Sequence, residues 1–333
     1  FGAQSISTAA MKMDMGITWG NVTGSLRWNH LWRANAFSNL TAIYSSYDLL
    51  TYTTIKIANN EFSQTFSSGI QNLGLKYDVN WTQWEAHTLR FGAQAIGYKF
   101  VPMASSLKYT KRKIRESAVT ALYSIESGVY IEDDMRVFDW GRVNVGLRAA
   151  HYGIDNSHSL FIEPRISASA YITDVFSIKA GYARMNQNLH LLSSTGVGLP
   201  TDLWIPATKK LPPQKAWIAS LGGVCDLERI ASTLSIEGYY RESKGNIMYR
   251  EGASYMSVDD LAGHADRYWE EKVTRGSSWS TGVEFLLQRK VGKFTGWIGY
   301  TLSWTRVRFN ELNAGKSFWA TYDRRHDISV VAM

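Results

Sequence analysis

The run of side chains in this sequence with the most chemical potential is Asp323-Arg324-Arg325-His326-Asp327. A histidine beside a carboxylate can act as a general base that activates water. Period-2 alternation surrounds the run, and in a strand successive side chains point to opposite faces, so His326 and Asp327 are expected to point apart. The run therefore predicts a charged strand end fixed by Asp–Arg pairs, and we expect no catalytic site.

Two histidines flank a short segment with a carboxylate in it, which raises the question of a metal. His151 and His158 bracket Asp155, and Glu163 follows. This spacing matches no standard zinc-ligand set. The single cysteine, Cys225, excludes an intramolecular disulfide and a cysteine-based zinc site. The sequence predicts neither a metal nor a cofactor.

Composition narrows the class of protein. The 333 residues carry a formal net charge of +7, but lysine and arginine are spread along the chain, which argues against a nucleic-acid partner. The one dense basic run, residues 108–115 (KYTKRKIR), lies between two strand patterns and is predicted to be a solvated loop. Mean hydropathy is −0.22, and no apolar run approaches the roughly 18 residues of a membrane helix.

Alternation of apolar and polar residues is the dominant pattern. Over residues 142–149, one face would carry Val143, Val145, Leu147 and Ala149, and the other Arg142, Asn144, Gly146 and Arg148. Several such segments run to about ten residues or more, longer than most soluble strands and long enough for tilted strands that cross a membrane. We count about fourteen predicted strands in all. Alternation between a lipid face and a lumen face along each strand explains the moderate mean hydropathy.

The connections between strands fall into two groups. Tight turns are predicted near residues 138–140, 172–174, 226–229 and 290–293, and long loops at about 189–213, 250–277 and 308–321. Two shorter connections are expected near residues 19–21 and 153–159. Aromatic residues near strand ends suggest interfacial girdles: Trp28, Trp32, Trp81, Trp84, Trp140, Trp297, Trp304, Trp319 and Tyr322. Together these features predict an all-β, antiparallel transmembrane β-barrel of the outer-membrane type.

Several segments, in the right order, resemble TonB-dependent outer-membrane receptors. The strongest are residues 296–303 (GWIGYTLS) and 315–327 (GKSFWATYDRRHD), supported by 188–193 (NLHLLS) and 200–206 (PTDLWIP). The resemblance implies a barrel of about 22 strands with a plug in its lumen, a motif that engages TonB, and import of a nutrient such as a siderophore, glycan or peptide. In the variety that imports glycans or peptides, it also implies a surface lipoprotein that covers the barrel.

Residues 1–333 are accordingly expected to form one domain, the central part of such a barrel, in contact with outer-membrane lipid. The chain opens without the charged and apolar regions of a signal peptide and ends within a strand pattern, so both ends are expected to be internal to a longer protein.

Ligand capture is predicted in the long loops, because aromatic side chains there can stack on sugars or fill a partner's pocket. The candidates are Trp204, Tyr255, Tyr268 and Trp269. Polar residues predicted to face the lumen, where they would line water or hold a plug, are Arg142, Arg148, Lys179, Glu237, Glu284 and Gln288.

Two other functions fit the same pattern. Fourteen strands are an even number that can close into a complete barrel, so a plug-free porin or a channel for hydrophobic compounds is the main alternative. A structural or secretion-associated barrel whose loops recruit proteins is the other.

Overall fold

A computed structural model describes residues 2–7, 11–109, 112–117, 121–192, 203–253 and 268–333, with the backbone alone for 2–7, 83, 103–108, 112–117 and 268. Most of these residues are in strands. The strands are β1 (Gly2–Ser7), β2 (Met11–Arg33), β3 (Ala36–Ile57), β4 (Asn60–Trp84), β5 (His87–Tyr109), β6 (Arg112–Ser117), β7 (Leu122–Phe138), β8 (Gly141–Ile154), β9 (Ser157–Thr173), β10 (Phe176–Gln187), β11 (Leu189–Leu192), β12 (Leu203–Pro206), β13 (Gln214–Leu227), β14 (Ser232–Tyr249), β15 (Val273–Arg289), β16 (Gly296–Phe309), β17 (Phe318–Trp319) and β18 (His326–Ala332). Short 3-10 turns occupy Glu228–Ile230, Tyr268–Glu271 and Asn313–Gly315.

One antiparallel sheet contains all of these strands except β11 and β12, which pair with each other. Fourteen strands follow one another in chain order; β6 adds to the end of β5, and β18 pairs with β16 beside β17. The predicted fold class and strand number are therefore confirmed. Among the described residues β1 pairs only with β2, so the sheet is open between its first and last strands. No helix in the described part of the chain is long and apolar enough to cross a membrane.

The two faces of the sheet differ in polarity because the register keeps like residues in line. One row across β2 to β9 consists of Trp28, Leu40, Tyr77, Ala93, Val129, Ala149 and Ile162. The next row, one residue along each strand, consists of Asn29, Asn39, Asp78, Gly92, Tyr130, Arg148 and Glu163. A slip of one residue in any strand would exchange the two faces, so the register is strongly specified.

The polar face is the inner face, on which the β11–β12 pair packs. It continues through β18 in a second row of Arg142, Ser169, Lys179, Gly222, Glu237, Glu284, Thr301 and Asp327. Gln288 lies on the same side of β15 as Glu284. The predicted set of inward-facing residues is therefore confirmed.

Connections separate onto two edges of the sheet. We call the edge that carries residues 34–35, 85–86, 139–140, 174–175, 228–231 and 290–295 the turn rim, because every connection there is short. The opposite edge, the loop rim, carries 58–59, 110–121, 155–156, 188–213, 250–272 and 310–325. Most of the predicted girdle lies at the turn rim, where Trp28, Trp32, Trp84 and Trp140 are exposed. The predicted tight turns and the predicted long loops therefore lie on opposite edges, but the loop rim also carries two tight turns, at 58–59 and 155–156.

Two predicted connections are wrong. Residues 19–21 are not a turn: β2 runs unbroken for 23 residues, because β3 offers continuous partners from Leu50 to Ser46 opposite Thr18 to Val22. The basic run 108–115 is predicted to be a loop, but its described residues, 108–109 and 112–115, are strand residues that pair β5 with β6. In both places strand pairing overrides a local turn or charge signal.

A glycine on the inner face allows a side chain to cross its strand. The Tyr130 ring lies over Gly92, and its hydroxyl donates to Asp78 on the strand beyond. A Cβ at Gly92 would contact the Tyr77 carbonyl oxygen and come within 2.8 Å of Tyr130 Cε1. Only a residue without a side chain fits there.

We therefore expect Gly92→Ala to lower the free energy of unfolding by about 1–3 kcal/mol, the usual cost of overpacking. Gly97→Ala in the same strand is the matched control, because the nearest atom to its Cβ is 4.0 Å away. Denaturant unfolding of the full-length protein in detergent measures both. Equal unfolding midpoints for the two variants would contradict the close approach of the Tyr130 ring to Gly92.

Candidate ligand-binding site at the loop rim

The longest connection is residues 188–213, and its described parts, 188–192 and 203–213, lie against the inner wall. Its strands β11 and β12 pair from Leu189 opposite Pro206 to Leu192 opposite Leu203. Their buried side chains join an apolar cluster that draws on the wall and on the next long loop: Phe66, Phe100, Leu122, Ala150, Tyr152, Ile154, Phe161, Leu192, Leu203, Ile205, Ala207, Leu211, Trp269 and Val273. The loop therefore has a core of its own, which fixes it on the inner face beside the rim.

The predicted aromatic ligand-binding residues fall in different environments. Trp204 lies in β12 and is partly exposed. Trp269 is only 4% exposed and packs in the apolar cluster, with its indole N–H unpaired among the described residues. Tyr268 begins the 3-10 turn next to it, and Tyr255 lies outside the described residues. The two long loops thus meet through Trp269, and of the two candidates whose side chains are described, Trp204 is the one with accessible surface.

A charged network ties this loop to the wall. Arg148 donates to Glu163 at 2.8 Å and to Glu126 at 3.2 Å. Glu163 also accepts from the backbone and side chain of Asn186, and Glu126 accepts from the Asn188 amide. The side chains of Arg148 and Glu163 are 16% and 6% exposed, so each charge depends on the others for compensation.

Sequence reasoning missed a basic cleft at the ends of β13 to β16. The cleft, of about 740 Å³, is lined by Pro212, Pro213, Lys215, Lys244, Gly245, Thr274, Arg275, Gly276, Ser277, Arg308, Asn310 and Glu311. Lys215, Lys244, Ser277 and Arg308 form one row across four strands. These residues are far apart in sequence, and only the register brings them together. The available signal was a cation near the loop-rim end of each successive strand.

The 323–327 run behaves as a strand end. Arg325 pairs with Asp323 at 3.1 Å and Arg324 with Asp327 at 3.2 Å, which confirms the predicted Asp–Arg pairs. His326 instead contacts the Tyr300 hydroxyl at 2.9 Å, on the opposite face from Asp327.

Stacked cations reinforce this corner of the loop rim. The Arg306 and Arg325 guanidinium carbons lie 4.3 and 4.4 Å from the centre of the Trp319 ring. The Asp323 carboxylate also accepts the backbone N–H of Thr305 at 2.6 Å. The short strand β17 is therefore held against β16 by cation–π and charge-assisted contacts.

The histidine pair of the β8–β9 hairpin is close but lacks further ligands. His151 Nε2 and His158 Nδ1 are 3.0 Å apart, whereas Glu163 faces inward to Arg148. In the part of the chain that the structure describes, no group of three or more His, Cys, Asp or Glu side chains could hold a metal ion.

A different histidine is buried within the loop. His190 in β11 is fully buried, and its Nδ1 lies 3.1 Å from the Gln214 amide nitrogen. The amide can only donate, so Nδ1 accepts and the proton is on Nε2. Burial lowers the pKa of His190 from 6.5 to about 4, which keeps the ring neutral at physiological pH.

Comparison with known proteins decides the family. Residues 10–327 match the family model described as TonB dependent receptor-like, beta-barrel. The chain belongs to the TonB-dependent receptor β-barrel family. The resemblance seen in the sequence is confirmed, and no curated protein matches the chain significantly.

Solved structures share the fold of this receptor barrel. They include the ferric-catecholate import receptor Fiu of E. coli K12, with a TM-score of 0.60 and 11% identity over 97% of this chain. The pyoverdine outer-membrane receptor FpvA of Pseudomonas aeruginosa PAO1 gives 0.59 and 11% over 97%, and the copper transporter OprC gives 0.54 and 10% over 92%. These relatives are receptors and transporters rather than enzymes. The chain spans about half of their length, namely 52% of Fiu, 48% of FpvA and 63% of OprC.

The Arg148 network generates a stability prediction. Arg148→Met leaves two carboxylates without their cation, so we expect the free energy of unfolding of the full-length receptor to fall by about 3–5 kcal/mol. Arg142→Met in the same strand is the control, because Arg142 is exposed and no described carboxylate pairs with it. Denaturant unfolding in detergent compares the two variants. If Arg148→Met lowers the free energy of unfolding no more than Arg142→Met does, the network does not stabilise the fold.

His190 predicts how the loop responds to pH. The unfolded loop takes up a proton near pH 6.5 and the folded loop only near pH 4. Stability is therefore complete above about pH 6.5 and is lost progressively as pH falls towards 4. We expect amide exchange in β11 and β12, corrected for intrinsic rates, to speed up over that window.

The variant His190→Phe should abolish this dependence, while His158→Phe, at an exposed histidine, should retain it. Hydrogen-exchange mass spectrometry at pH 4.5 and 7.5 makes the comparison. An unchanged pH dependence in His190→Phe would assign the effect to another group.

Proposed function

We propose that this chain forms the central wall and outer binding surface of a receptor in the outer membrane of a Gram-negative-type bacterium. The receptor imports a nutrient, such as a siderophore, glycan or peptide, through a plugged barrel that TonB opens. The family match over residues 10–327 carries the proposal. No enzymatic step is part of it.

The two faces of the sheet support this role. The apolar row from Trp28 to Ile162 suits contact with outer-membrane lipid, and the inner row from Arg142 to Asp327 suits a polar plug. An open sheet exposes unpaired backbone groups that lipid does not tolerate. We therefore propose that residues 1–333 form part of one barrel domain of about 22 strands, completed by other segments of the protein.

Ligand capture is assigned to the loop rim, where two long loops share a packed core. Trp204, with Tyr255, Tyr268 and Trp269 of the neighbouring loop, remains the proposed aromatic part of the site. A surface lipoprotein, where one exists, would cover the same rim. A plug-free channel of fourteen strands would need β1 to pair with β17 or β18, and the described residues show no such pairing.

Uptake genetics tests the proposal. Deletion of the gene and deletion of tonB should abolish growth on the same nutrient within a panel of ferric siderophores, oligosaccharides and peptides. A phenotype for the gene deletion that persists unchanged when TonB is absent would contradict energised import. In planar bilayers the full-length protein should carry no steady large current, in contrast to a porin.

Trp204→Ala should raise the half-saturating concentration of that nutrient by about tenfold or more, as truncation of a binding aromatic does. Trp140→Ala at the turn rim is the matched control, since Trp140 is exposed on the far side of the wall. Equal uptake curves for the two variants would remove Trp204 from the site.

A further inference from the structure

We propose that a basic strip on the outer face of the sheet, at the loop rim, binds the headgroup of a membrane lipid that carries two phosphates. The strip consists of the cations at the loop-rim ends of β10, β13, β14 and β16: Arg184, Lys215, Lys244, Arg306 and Arg308. The inference rests on the proposed place of the chain in an outer membrane. It assigns a second ligand, distinct from the imported nutrient.

The register places the strip on the face opposite the lumen. Lys244 lies seven residues beyond Glu237 of the inner row, and Lys215 is its partner on β13. Side chains alternate between the two faces of a strand, so this odd separation puts both lysines on the outer face. Both lysines are exposed, whereas the residues next to them, Ala216 and Ser243, are buried.

The strip begins where the apolar part of the outer face ends. On β13 the outer side chains run from Leu227 at the turn rim through Leu221 to Trp217. This span of eleven residues is the length that a tilted transmembrane strand requires, roughly 9–11 residues. Lys215 is the next outer residue beyond it. In outer-membrane barrels the long loops are extracellular, so the strip lies at the headgroups of the outer leaflet.

An aromatic belt marks the same level on the neighbouring strands. The register puts six aromatic residues on the outer face here: Tyr182, Trp217, Tyr240, Trp279, Trp304 and Trp319. The ring centres of Tyr182 and Trp217 are 6.2 Å apart, and those of Trp217 and Tyr240 are 5.3 Å apart. Tryptophan and tyrosine concentrate at the interface between membrane and water. The cations beside this belt therefore face headgroups rather than hydrocarbon.

Two arginines of the strip lie within the belt. Arg184 is the register partner of Trp217, and Arg306 is the partner of Trp279. The guanidinium carbon of Arg306 also lies 4.3 Å from the centre of the Trp319 ring, and this cation–π contact holds it on the outer face. At this depth an arginine lays its apolar stem along the wall and places its charge among the headgroups.

The protein itself does not neutralise the strip. Among the described residues one carboxylate pairs with it, that of Glu242, at 3.4 Å from Lys244. Lys215 and Lys244 are direct partners across β13 and β14, and like charges in that arrangement destabilise the strand pair. Phosphate groups from a lipid would compensate the excess positive charge and relieve the repulsion.

The width of the strip sets the number of phosphates. Neighbouring strands are about 4.8 Å apart, so Lys215 on β13 and Arg308 on β16 are separated by roughly 14 Å. One phosphate cannot contact both ends, but two phosphates on one headgroup can, with Lys215 and Lys244 at one and Arg306 and Arg308 at the other. Arg308 donates through Nε to the Gly315 carbonyl at 2.9 Å, which fixes its guanidinium and leaves the other N–H groups for a phosphate.

Native mass spectrometry of the full-length receptor, purified in a non-ionic detergent and mixed with defined lipids, tests the inference. The probes are lipid A with two phosphates, lipid A with one phosphate, and zwitterionic phosphatidylethanolamine. The receptor should retain the diphosphorylated lipid about tenfold more strongly than the monophosphorylated one, because a second set of charged hydrogen bonds forms. Phosphatidylethanolamine should be retained least.

Variants locate the binding. Lys215→Gln/Lys244→Gln should weaken retention of the diphosphorylated lipid by about tenfold or more, since two charged contacts are lost. Lys290→Gln/Lys293→Gln removes the same charge from exposed positions at the turn rim and should change retention less than about twofold. Lys215→Arg/Lys244→Arg keeps the charge and should keep the lipid, which separates loss of charge from misfolding.

Equal retention of all three lipids, or equal weakening in the two glutamine variants, would overturn the inference. Displacement of the lipid by an equal concentration of soluble pyrophosphate would also overturn it, because the strip would then hold a soluble anion. The outcome is separable from the proposed function. TonB-dependent uptake without retained lipid removes the strip alone, whereas retained lipid without such uptake removes the import role.

Discussion

Backbone pairing between long, alternating strands is the constraint on which this molecule depends. In lipid every N–H and C=O group must be paired within the protein, which leaves a closed sheet as the only way to cross with strands. Pairing fixes the register, and the register fixes the face of every side chain. The apolar row from Trp28 to Ile162 and the polar row from Asn29 to Glu163 are one residue apart, so a single rule places both the lipid surface and the lumen surface.

The inner face, unlike the outer face, carries charged and polar side chains that need hydrogen-bond or ion-pair partners where they are buried. These side chains lie close together on a curved wall. Arg148 meets this need by bridging Glu126 and Glu163, and Glu163 in turn holds Asn186 where β10 leaves β9. Glycines such as Gly92 leave room for a tyrosine to reach across a strand. The same contacts that satisfy the wall also anchor the base of the longest loop, so the position of the loop follows from the wall.

The parts of this structure that the sequence predicts are those that period-2 alternation and local motifs determine. Strand number, the two faces, the tight turns and the family follow from local pattern and motif, because each strand repeats the same rule. The failures occur where strand pairing overrides a local turn or charge signal. Gly20 of β2 pairs with Asp48 of β3, and part of the basic run pairs β5 with β6. The core of the 188–213 loop and the basic cleft depend on contacts between residues far apart in the chain. No local pattern carries that information.

The cleft lies at the ends of its strands, where the outer face of the sheet is no longer in contact with the hydrocarbon of the lipid. Strands β13 and β14 have 14 and 18 residues, more than the roughly 9–11 that a tilted span requires, so their ends extend past the hydrocarbon boundary. Side chains on those extensions are free of the demand for an apolar outer face, and opposed lysines such as Lys215 and Lys244 are tolerated there in water. The repulsion between the two ammonium groups destabilises the β13–β14 pair, and backbone pairing in the wall does not require it.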